Sequence, residues 1–169
     1  ARLANLLHIV LQRIDRLEYP RSHHQKQFHE CFIKASLRSM YGDEYAVREP
    51  ELLRRFGCRR FRTEVMIVTP RRFGKTYSVA QFCAAYATGV LGREVAIFST
   101  GKRASKKMLD LVLRFLEPLM RTTQKIVAKN AEEIILFDSE TQVRNKICSY
   151  PSRVQVRCPY HSSEKPAGA

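Results

Sequence analysis

The sequence predicts an α/β fold with a mostly parallel sheet flanked by helices on both faces. Two short apolar runs of strand length, residues 65–68 and residues 95–100, are each followed by a segment with helical periodicity. Fully apolar strands that alternate with helices are typical of a buried parallel sheet. The 169 residues suffice for one domain with a single hydrophobic core.

The N-terminal third of the chain is predicted to be helical. Apolar residues recur at spacings of three and four over residues 3–17, which indicates an amphipathic helix that Pro20 ends. Ser22 is the predicted N-cap of a second helix. A turn at Gly42 and Asp43 and a short helix over residues 51–56, after Pro50, complete this segment.

The rest of the chain alternates between helices and strands. A helix after residue 76 ends at Gly89 and Gly92, a strand covers residues 95–100, and a long helix runs to Leu119. Three further strands are predicted over residues 125–128, 133–137 and 143–149. The first two are predicted to form a hairpin around Asn130.

The charge balance indicates a polyanionic partner. There are 30 Lys and Arg against 16 Asp and Glu, a net charge of +14. Nucleic acid is the direct interpretation; the alternatives are a solvated basic surface or an excess offset by an acidic part elsewhere. Residues 54–62 hold five Arg and two Phe, which suits phosphate contact and base stacking, although a solvated loop fits equally.

Cysteine and histidine usage points away from metal and towards a reducing, intracellular setting. The five Cys residues include no Cys-x-x-Cys pair, so free thiols are favoured over a zinc site. The spacing of His23, His24 and His29 fits no standard zinc motif, so solvated side chains are expected. No apolar run approaches the ~20 residues of a membrane span, and no membrane partner is expected.

The most informative stretch, residues 65–76, predicts a phosphate-binding loop. The apolar run at residues 65–68 leads into a short turn, and Lys75 and Thr76 then open a helix. Backbone N–H groups in such a loop point at one spot, Gly74 lets the backbone approach a phosphate, and Lys75 can reach the β- and γ-phosphates. The Thr76 hydroxyl can hold Mg²⁺. The candidate loop comprises Thr69, Pro70, Arg71, Arg72, Phe73, Gly74, Lys75 and Thr76, with Thr69 in place of the usual first glycine.

This motif resembles the deviant Walker A sequence of viral terminase large subunits. The run of Pro, two Arg, one further residue, Gly, Lys and Thr after an apolar strand is most similar to the N-terminal ATPase domain of the herpesvirus and tailed-phage proteins. The resemblance extends over about residues 19–155 and is sharpest at residues 69–76.

The resemblance implies a P-loop NTPase-like fold that binds ATP and Mg²⁺ and translocates double-stranded DNA. It implies a homo-oligomer that works with a capsid portal or a small terminase subunit. The compartment would be the host nucleus for a herpesvirus-like protein and the host cytoplasm for a phage-like one. Arg71 or Arg72 would reach the γ-phosphate in the same chain or a neighbour. Gln25, with Gln27 as the alternative, would read the adenine edge with its amide.

The chain departs from the family where an acidic pair is needed. A carboxylate pair that holds Mg²⁺ and polarises water is expected beyond about residue 155, where no apolar strand is seen. Asp138, with Glu140 two residues on, is the one candidate in the sequence, although Ser139 separates the two carboxylates. The predicted division is therefore a helical segment at residues 1–62, a partial ATPase core at residues 63–155 and a disordered tail at residues 156–169, with hydrolysis by this chain alone in doubt.

Two other functions remain open. A helicase-like NTPase also fits a Gln upstream of Gly-Lys-Thr, although its acidic box is not visible. A basic nucleic-acid-binding remnant whose loop no longer hydrolyses ATP is the non-enzymatic alternative.

Overall fold

The computed structural model describes residues 2–151, so the predicted tail at residues 156–169 lies outside the described residues. From residue 75 onwards the order is helix, strand, helix and three strands, as the sequence predicts. The elements in chain order are α1 Arg2–Ile14, α2 His23–Tyr41, a 3₁₀ turn Gly42–Glu44, α3 Tyr45–Phe56, α4 Lys75–Gly89, β1 Glu94–Ser99, α5 Lys102–Leu119, β2 Gln124–Lys129, β3 Glu133–Asp138 and β4 Val143–Pro151.

The four strands form one mixed sheet in the order β1-β4-β3-β2. The pair β1 and β4 is parallel, whereas β3 is antiparallel to both β4 and β2. The prediction of a mostly parallel sheet is therefore wrong. The β2–β3 hairpin is confirmed, and the short connection at residues 139–142 makes β4 antiparallel to β3 as well, because a parallel pair needs a long crossover.

Among the described elements, helices cover one face of the sheet. Ile97, Ile134 and Ile147 are fully or almost fully buried on that face, and α5 packs across it. On the other face Phe98 is 69% exposed and Arg144 is exposed. The expectation of helices on both faces is thus not met by residues 2–151.

The apolar run at residues 65–68 is not a strand, contrary to the prediction. Residues 64–70 have no regular secondary structure, and Met66 and Val68 are 90% and 83% exposed. β-Branched and apolar residues favour a strand only where neighbouring strands supply hydrogen bonds and a surface to pack on. This segment pairs with none of the four described strands.

The helical N-terminal segment follows the prediction with two changes of boundary. Helix α1 ends at Ile14, before Pro20, and α3 begins at Tyr45 and accommodates Pro50 within it. Ser22 is the N-cap of α2, as predicted. Its hydroxyl accepts a hydrogen bond from the backbone N–H of Gln25, and the Gln25 side chain accepts one in return from the Ser22 N–H, forming a capping box.

One hydrophobic core joins the N-terminal helices to the sheet. Helix α4 packs against α1 on one side and α5 on another, which explains why α4 is buried on nearly all sides. The core includes Leu7, Leu11, Ile14, Ile33, Leu37, Leu52, Ala80, Ala84, Val112, Leu116, Leu119, Leu136 and Ile147. Helix α4 is thereby fixed, and with it the loop that precedes it.

Candidate phosphate-binding site

The predicted loop ends at the first turn of α4. Gly74 is the N-cap residue, with φ of 80° and ψ of 23°, a left-handed conformation that glycine adopts at little cost. No side chain caps this helix end. The N–H groups of the first turn therefore stay available at the positive end of the helix dipole, an arrangement that favours an anion.

The Lys75 side chain folds back over the loop. Its ammonium donates hydrogen bonds to the carbonyl oxygens of Thr69, at 3.2 Å, and Pro70, at 2.9 Å. Both Lys75 and Thr76 are exposed, so neither is buried in the protein core. The positive charge is held beside the free end of the helix, where it would add to the attraction for a phosphate.

The arginines and the phenylalanine of the loop lie on a tight turn. Arg71 and Arg72 are both exposed, and Arg72 has a φ of 64°, an uncommon value for a residue other than glycine. The Phe73 ring lies 5.6 Å from the ring of His24 in α2, measured between centroids. The contact connects the loop to α2. Of the two arginines, Arg72 lines the cavity beside the loop, whereas Arg71 is not among the lining residues.

A cavity of about 720 Å³ opens between this loop and α5. Such a volume is in the range of small-molecule and cofactor sites. Its walls combine cationic, apolar and hydroxyl groups with the carboxylate of Asp110. The lining residues are Arg72, Phe73, Gly74, Lys75, Thr76, Tyr77, Ala104, Lys107, Asp110, Leu111 and Arg114.

Sequence reasoning missed several α5 residues at this site. Asp110, Leu111 and Arg114 line the cavity, but no motif in the sequence marks them as site residues. The Arg114 guanidinium stacks on the Tyr19 ring at 4.5 Å and pairs with Glu18 at 3.2 Å. The spacing of three and four residues from Asp110 and Leu111 to Arg114 places these side chains on one face of α5, and this spacing could be seen in the sequence.

Gln25 lies against the loop and not in the cavity wall. Its Oε1 accepts the Ser22 N–H at 2.9 Å, and its Nε2 lies 3.5 Å from the Gly74 carbonyl oxygen. Both ends of the amide therefore have partners within the chain. Gln27 is exposed on the same helix. The adenine contact expected of Gln25 stays a prediction.

We expect Gly74→Ala to lower the free energy of unfolding by about 1 kcal/mol. The left-handed φ disfavours a side chain, and a Cβ at this position would lie 3.0 Å from Gln25 Nε2. Gly101→Ala is a matched control, because that glycine has an extended backbone and a Cβ added there would meet no atom within 4 Å. Urea unfolding of the two variants makes the comparison; equal losses would contradict this account of Gly74.

A second contact joins α2 to α4 one helical turn further on. His29 is buried, and its Nε2 lies 2.8 Å from the carbonyl oxygen of Ser78. The expectation that the three histidines are solvated is wrong for His29 and right for His23 and His24, which are exposed. No group of three His, Cys, Asp or Glu side chains within residues 2–151 is arranged to hold a metal ion.

Asp138 lies away from the loop. Asp138 in β3 lies opposite Gln124 in β2. The Gln124 side chain donates a hydrogen bond to the carbonyl oxygen of Thr88, at the C-terminal end of α4. Lys75 begins the same helix, about 20 Å away at 1.5 Å per residue. The Asp138 carboxylate also accepts from Arg121 at 3.0 Å and from two backbone N–H groups. It is therefore not placed to serve as a Mg²⁺ ligand at the loop.

The hydrogen bonds explain the ionisation of Asp138. Burial alone would raise the pKa of this carboxyl, but the N–H groups of Thr141 and Glu140 and the charge of Arg121 outweigh it and lower the pKa. Asp138 is thus a charged residue that closes the turn between β3 and β4.

Neither comparison with known proteins assigns a family: no protein-family model matches the sequence, and no curated protein shows a significant match. Within residues 2–151, no helix is long and apolar enough to cross a membrane.

Proposed function

We propose that this chain binds ATP with Mg²⁺ as the nucleotide-binding portion of a DNA-packaging motor of the terminase large-subunit type. In that motor, ATP hydrolysis is coupled to the translocation of double-stranded viral DNA. The observation that carries the proposal is the cavity of about 720 Å³ beside the open N-terminus of α4, with Lys75 and Thr76 in its wall.

The charges around the cavity support an anionic ligand. Arg72, Lys75 and Lys107 supply three cationic side chains against the one carboxylate of Asp110, and the fourth cation, Arg114, is paired with Glu18. Lys75 would release the two carbonyl oxygens it contacts and bind the β- and γ-phosphates instead. Arg71 and Arg72 would stabilise charge on the γ-phosphate, either in this chain or from a neighbouring copy in a homo-oligomer.

The residues present fit Mg²⁺ in part. The Thr76 hydroxyl is exposed at the start of α4 and is a suitable oxygen ligand. When bound, the metal would neutralise phosphate charge and orient the β- and γ-phosphate oxygens. Asp110 is the carboxylate that residues 2–151 bring to the same cavity. The proposed partners are the DNA itself and, by resemblance, a capsid portal or a small terminase subunit.

A second candidate is a nucleic-acid-binding protein that does not hydrolyse ATP. The favouring observation is that Asp138 is bonded to Arg121 at the opposite end of α4 from the loop. Within the described residues, no strand delivers a carboxylate pair to Lys75 and Thr76. Such a chain would bind DNA with an affinity that ATP does not change.

Calorimetric titration with Mg-ATP at physiological salt tests the proposal. We expect Lys75→Ala to weaken binding at least tenfold, about 1.4 kcal/mol, because the variant loses the charge nearest the open helix end. Lys125→Ala is the matched control, since Lys125 is exposed on β2, outside the cavity. It removes the same charge from a chain of +14.

The Lys125→Ala control distinguishes binding of ATP at the loop from attraction of ATP to the overall positive charge. A highly basic protein attracts any polyphosphate, so a common small loss in both variants would show that ATP binds to the overall charge, and the proposal would be wrong. If binding depends on Lys75 and turnover is nevertheless absent, the second candidate becomes the better account.

A further inference from the structure

Four arginines form an exposed basic surface at the end of α3. We define this arginine surface as Arg54, in the last turn of the helix, and Arg59, Arg60 and Arg62, in the segment that follows. All four are exposed, and none forms an ion pair or side-chain hydrogen bond with another of residues 2–151. Unlike the surface arginines that pair with Glu or Asp elsewhere in the chain, these four keep their charge available to a partner.

A fixed helix end presents these arginines. Gly57 adopts the left-handed conformation after the last turn of α3, and its N–H donates to the Arg54 carbonyl. The N–H of Cys58 donates to the Leu53 carbonyl at 3.0 Å. Such paired bonds close a helix with a defined geometry, so the chain leaves α3 in one direction. Arg59 and Arg60 follow directly.

The two phenylalanines of this segment are partly buried. The rings of Phe56 and Phe61 contact each other with centroids 5.8 Å apart and planes at 86°, and both pack against the hydrophobic core. The Phe56 ring also lies beneath the ammonium of Lys34, at 5.7 Å. Neither ring is presented as a platform for a base, so the base stacking expected from the sequence is not supported.

The basic surface continues into a groove beside α2. Arg62 shares a cavity of about 340 Å³ with Lys34 and Arg38. The carboxylate of Glu49 in the same groove accepts a hydrogen bond from the Tyr45 hydroxyl at 2.9 Å. Lys34 also pairs with Glu30 at 3.9 Å, so Arg38 and Arg62 against Glu49 leave the groove with a small positive excess between α3 and α2. Its lining has no residue in common with the cavity at the phosphate loop.

We propose that the arginine surface binds the phosphate backbone of double-stranded nucleic acid without reading its sequence. Exposed guanidinium groups without partners among residues 2–151 suit phosphate oxygens, and the partly buried Phe56 and Phe61 rings, packed against the core, favour backbone contact over the stacking of bases. The inference deepens the proposed function and rests on it for the identity of the partner, since it gives the DNA a surface separate from the ATP site.

Fluorescence anisotropy with a labelled DNA duplex, in the absence of nucleotide, tests this inference. The test variant carries Arg54→Gln, Arg59→Gln, Arg60→Gln and Arg62→Gln. We expect its affinity at low salt to fall at least tenfold, and the slope of log K against log salt to become shallower by about 3.6, because each of the four lost phosphate contacts removes about 0.9 unit of slope. Two duplexes of unrelated sequence should behave alike.

A matched control removes the same charge elsewhere. It carries Arg16→Gln, Lys125→Gln, Lys129→Gln and Arg144→Gln, four exposed positions outside the arginine surface. The control is expected to retain most of the affinity and slope. A third variant with Lys at the four surface positions should bind within a few-fold of the original chain, which excludes misfolding as the cause of the loss.

Three results would overturn the proposal. Equal losses in the test and control variants would mean that net charge alone attracts DNA. Tighter binding of a single strand than of the duplex would point to stacking. Loss of binding to phosphatidylserine-containing vesicles with duplex affinity unchanged would make the surface a membrane contact. Because no nucleotide is present, failure of ATP binding in the Lys75 experiment would leave these outcomes unaffected.

Discussion

Replacing Asn145 with alanine is expected to lower the free energy of unfolding by about 4 kcal/mol, because four backbone groups lose their hydrogen-bond partner together. Asn145 is buried in β4. Its Oδ1 accepts from the N–H groups of Gly92 and Arg93 at 2.6 and 3.3 Å. Its Nδ2 donates to the carbonyl oxygens of Ala87 and Val90 at 2.5 and 2.8 Å.

The position of these bonds explains the size of the effect. The last carbonyl groups of a helix have no partner within it, and Asn145 supplies one at the end of α4. The same side chain fixes the turn that leads into β1. One amide thus joins a helix end, a connection and a strand, and removing it leaves the buried carbonyl groups of Ala87 and Val90 without this partner.

Two further variants separate hydrogen bonding from packing. Asn145→Leu fills the volume but makes none of the four bonds, so it should lose about as much stability as the alanine variant. Arg144→Ala, on the exposed face of the same strand, should stay within about 0.5 kcal/mol of the original chain. Urea unfolding with an unchanged m-value makes the measurement. Recovery of stability by leucine would show that the loss came from the cavity.

The sequence contained part of this information. The predicted strand at residues 143–149 alternates, and Val143, Asn145 and Ile147 fall on one side of it. A polar residue on an apolar face is a signal of a buried, bonded side chain. What the alternation does not give is the partner, because the end of α4 meets β4 only through the packing of distant segments.

The fold was predictable where local patterns decide it. The N-cap at Ser22, the hairpin of β2 and β3 and the amphipathic helices α1 and α5 all depend on residues close in sequence. The failure at residues 65–68 has the opposite origin. An apolar run acquires strand structure from its neighbours, and residues 2–151 provide none at that place.

The candidate site divides in the same way. The turn at residues 71–73 and the start of α4 at Lys75 lie where the motif predicts them, whereas the strand that the motif expects before them is absent at residues 65–68. Asp110 and Arg114 join the cavity only because α5 packs against α4, and this depends on the whole core. Gln25 is different again, because the side chain that the resemblance expects to contact adenine also accepts the Ser22 N–H in the capping box.

The contact between His29 and α4 makes acid sensitivity the second large expectation. Because the Ser78 carbonyl can only accept, His29 Nε2 carries the proton and Nδ1 accepts from Arg21 at 3.3 Å. Arg21 in turn forms a bidentate pair with Asp15, with separations of 3.0 and 2.9 Å. A second proton on His29 would place two cations side by side in a buried site.

Burial and this arrangement lower the pKa of His29 to about 4, although its bond to Ser78 acts in the opposite direction. An unfolded histidine titrates near 6.5, so the unfolded chain binds more protons between these values and stability must fall as the pH falls. The loss begins near pH 6.5, is complete below about pH 4 and amounts to about 3 kcal/mol.

The pKa values of two nearby groups, His8 and Asp15, are also lowered, so the contributions of both groups to stability are lost as the pH falls. Their effects must be distinguished from that of His29. Burial also lowers the pKa of His8, which adds a smaller loss in the same range. For Asp15, burial would raise the pKa, but the hydrogen bonds and charge of Arg21 lower it. The contribution of Asp15 to the free energy of unfolding is present above the ordinary carboxyl range and is lost as the pH falls through the lowered pKa of Asp15. This loss therefore comes at lower pH than the loss caused by the histidines.

Urea unfolding from pH 7 to pH 4 measures the His29 contribution directly. His29→Gln offers a donor and an acceptor but no titration, so most of the pH dependence should disappear even though some stability is lost at pH 7. His24→Gln, at an exposed position in the same helix, should keep the full dependence. If the slope survives in His29→Gln, then His29 is not the buried neutral base that holds α2 to α4, and the acid response must come from elsewhere in the chain.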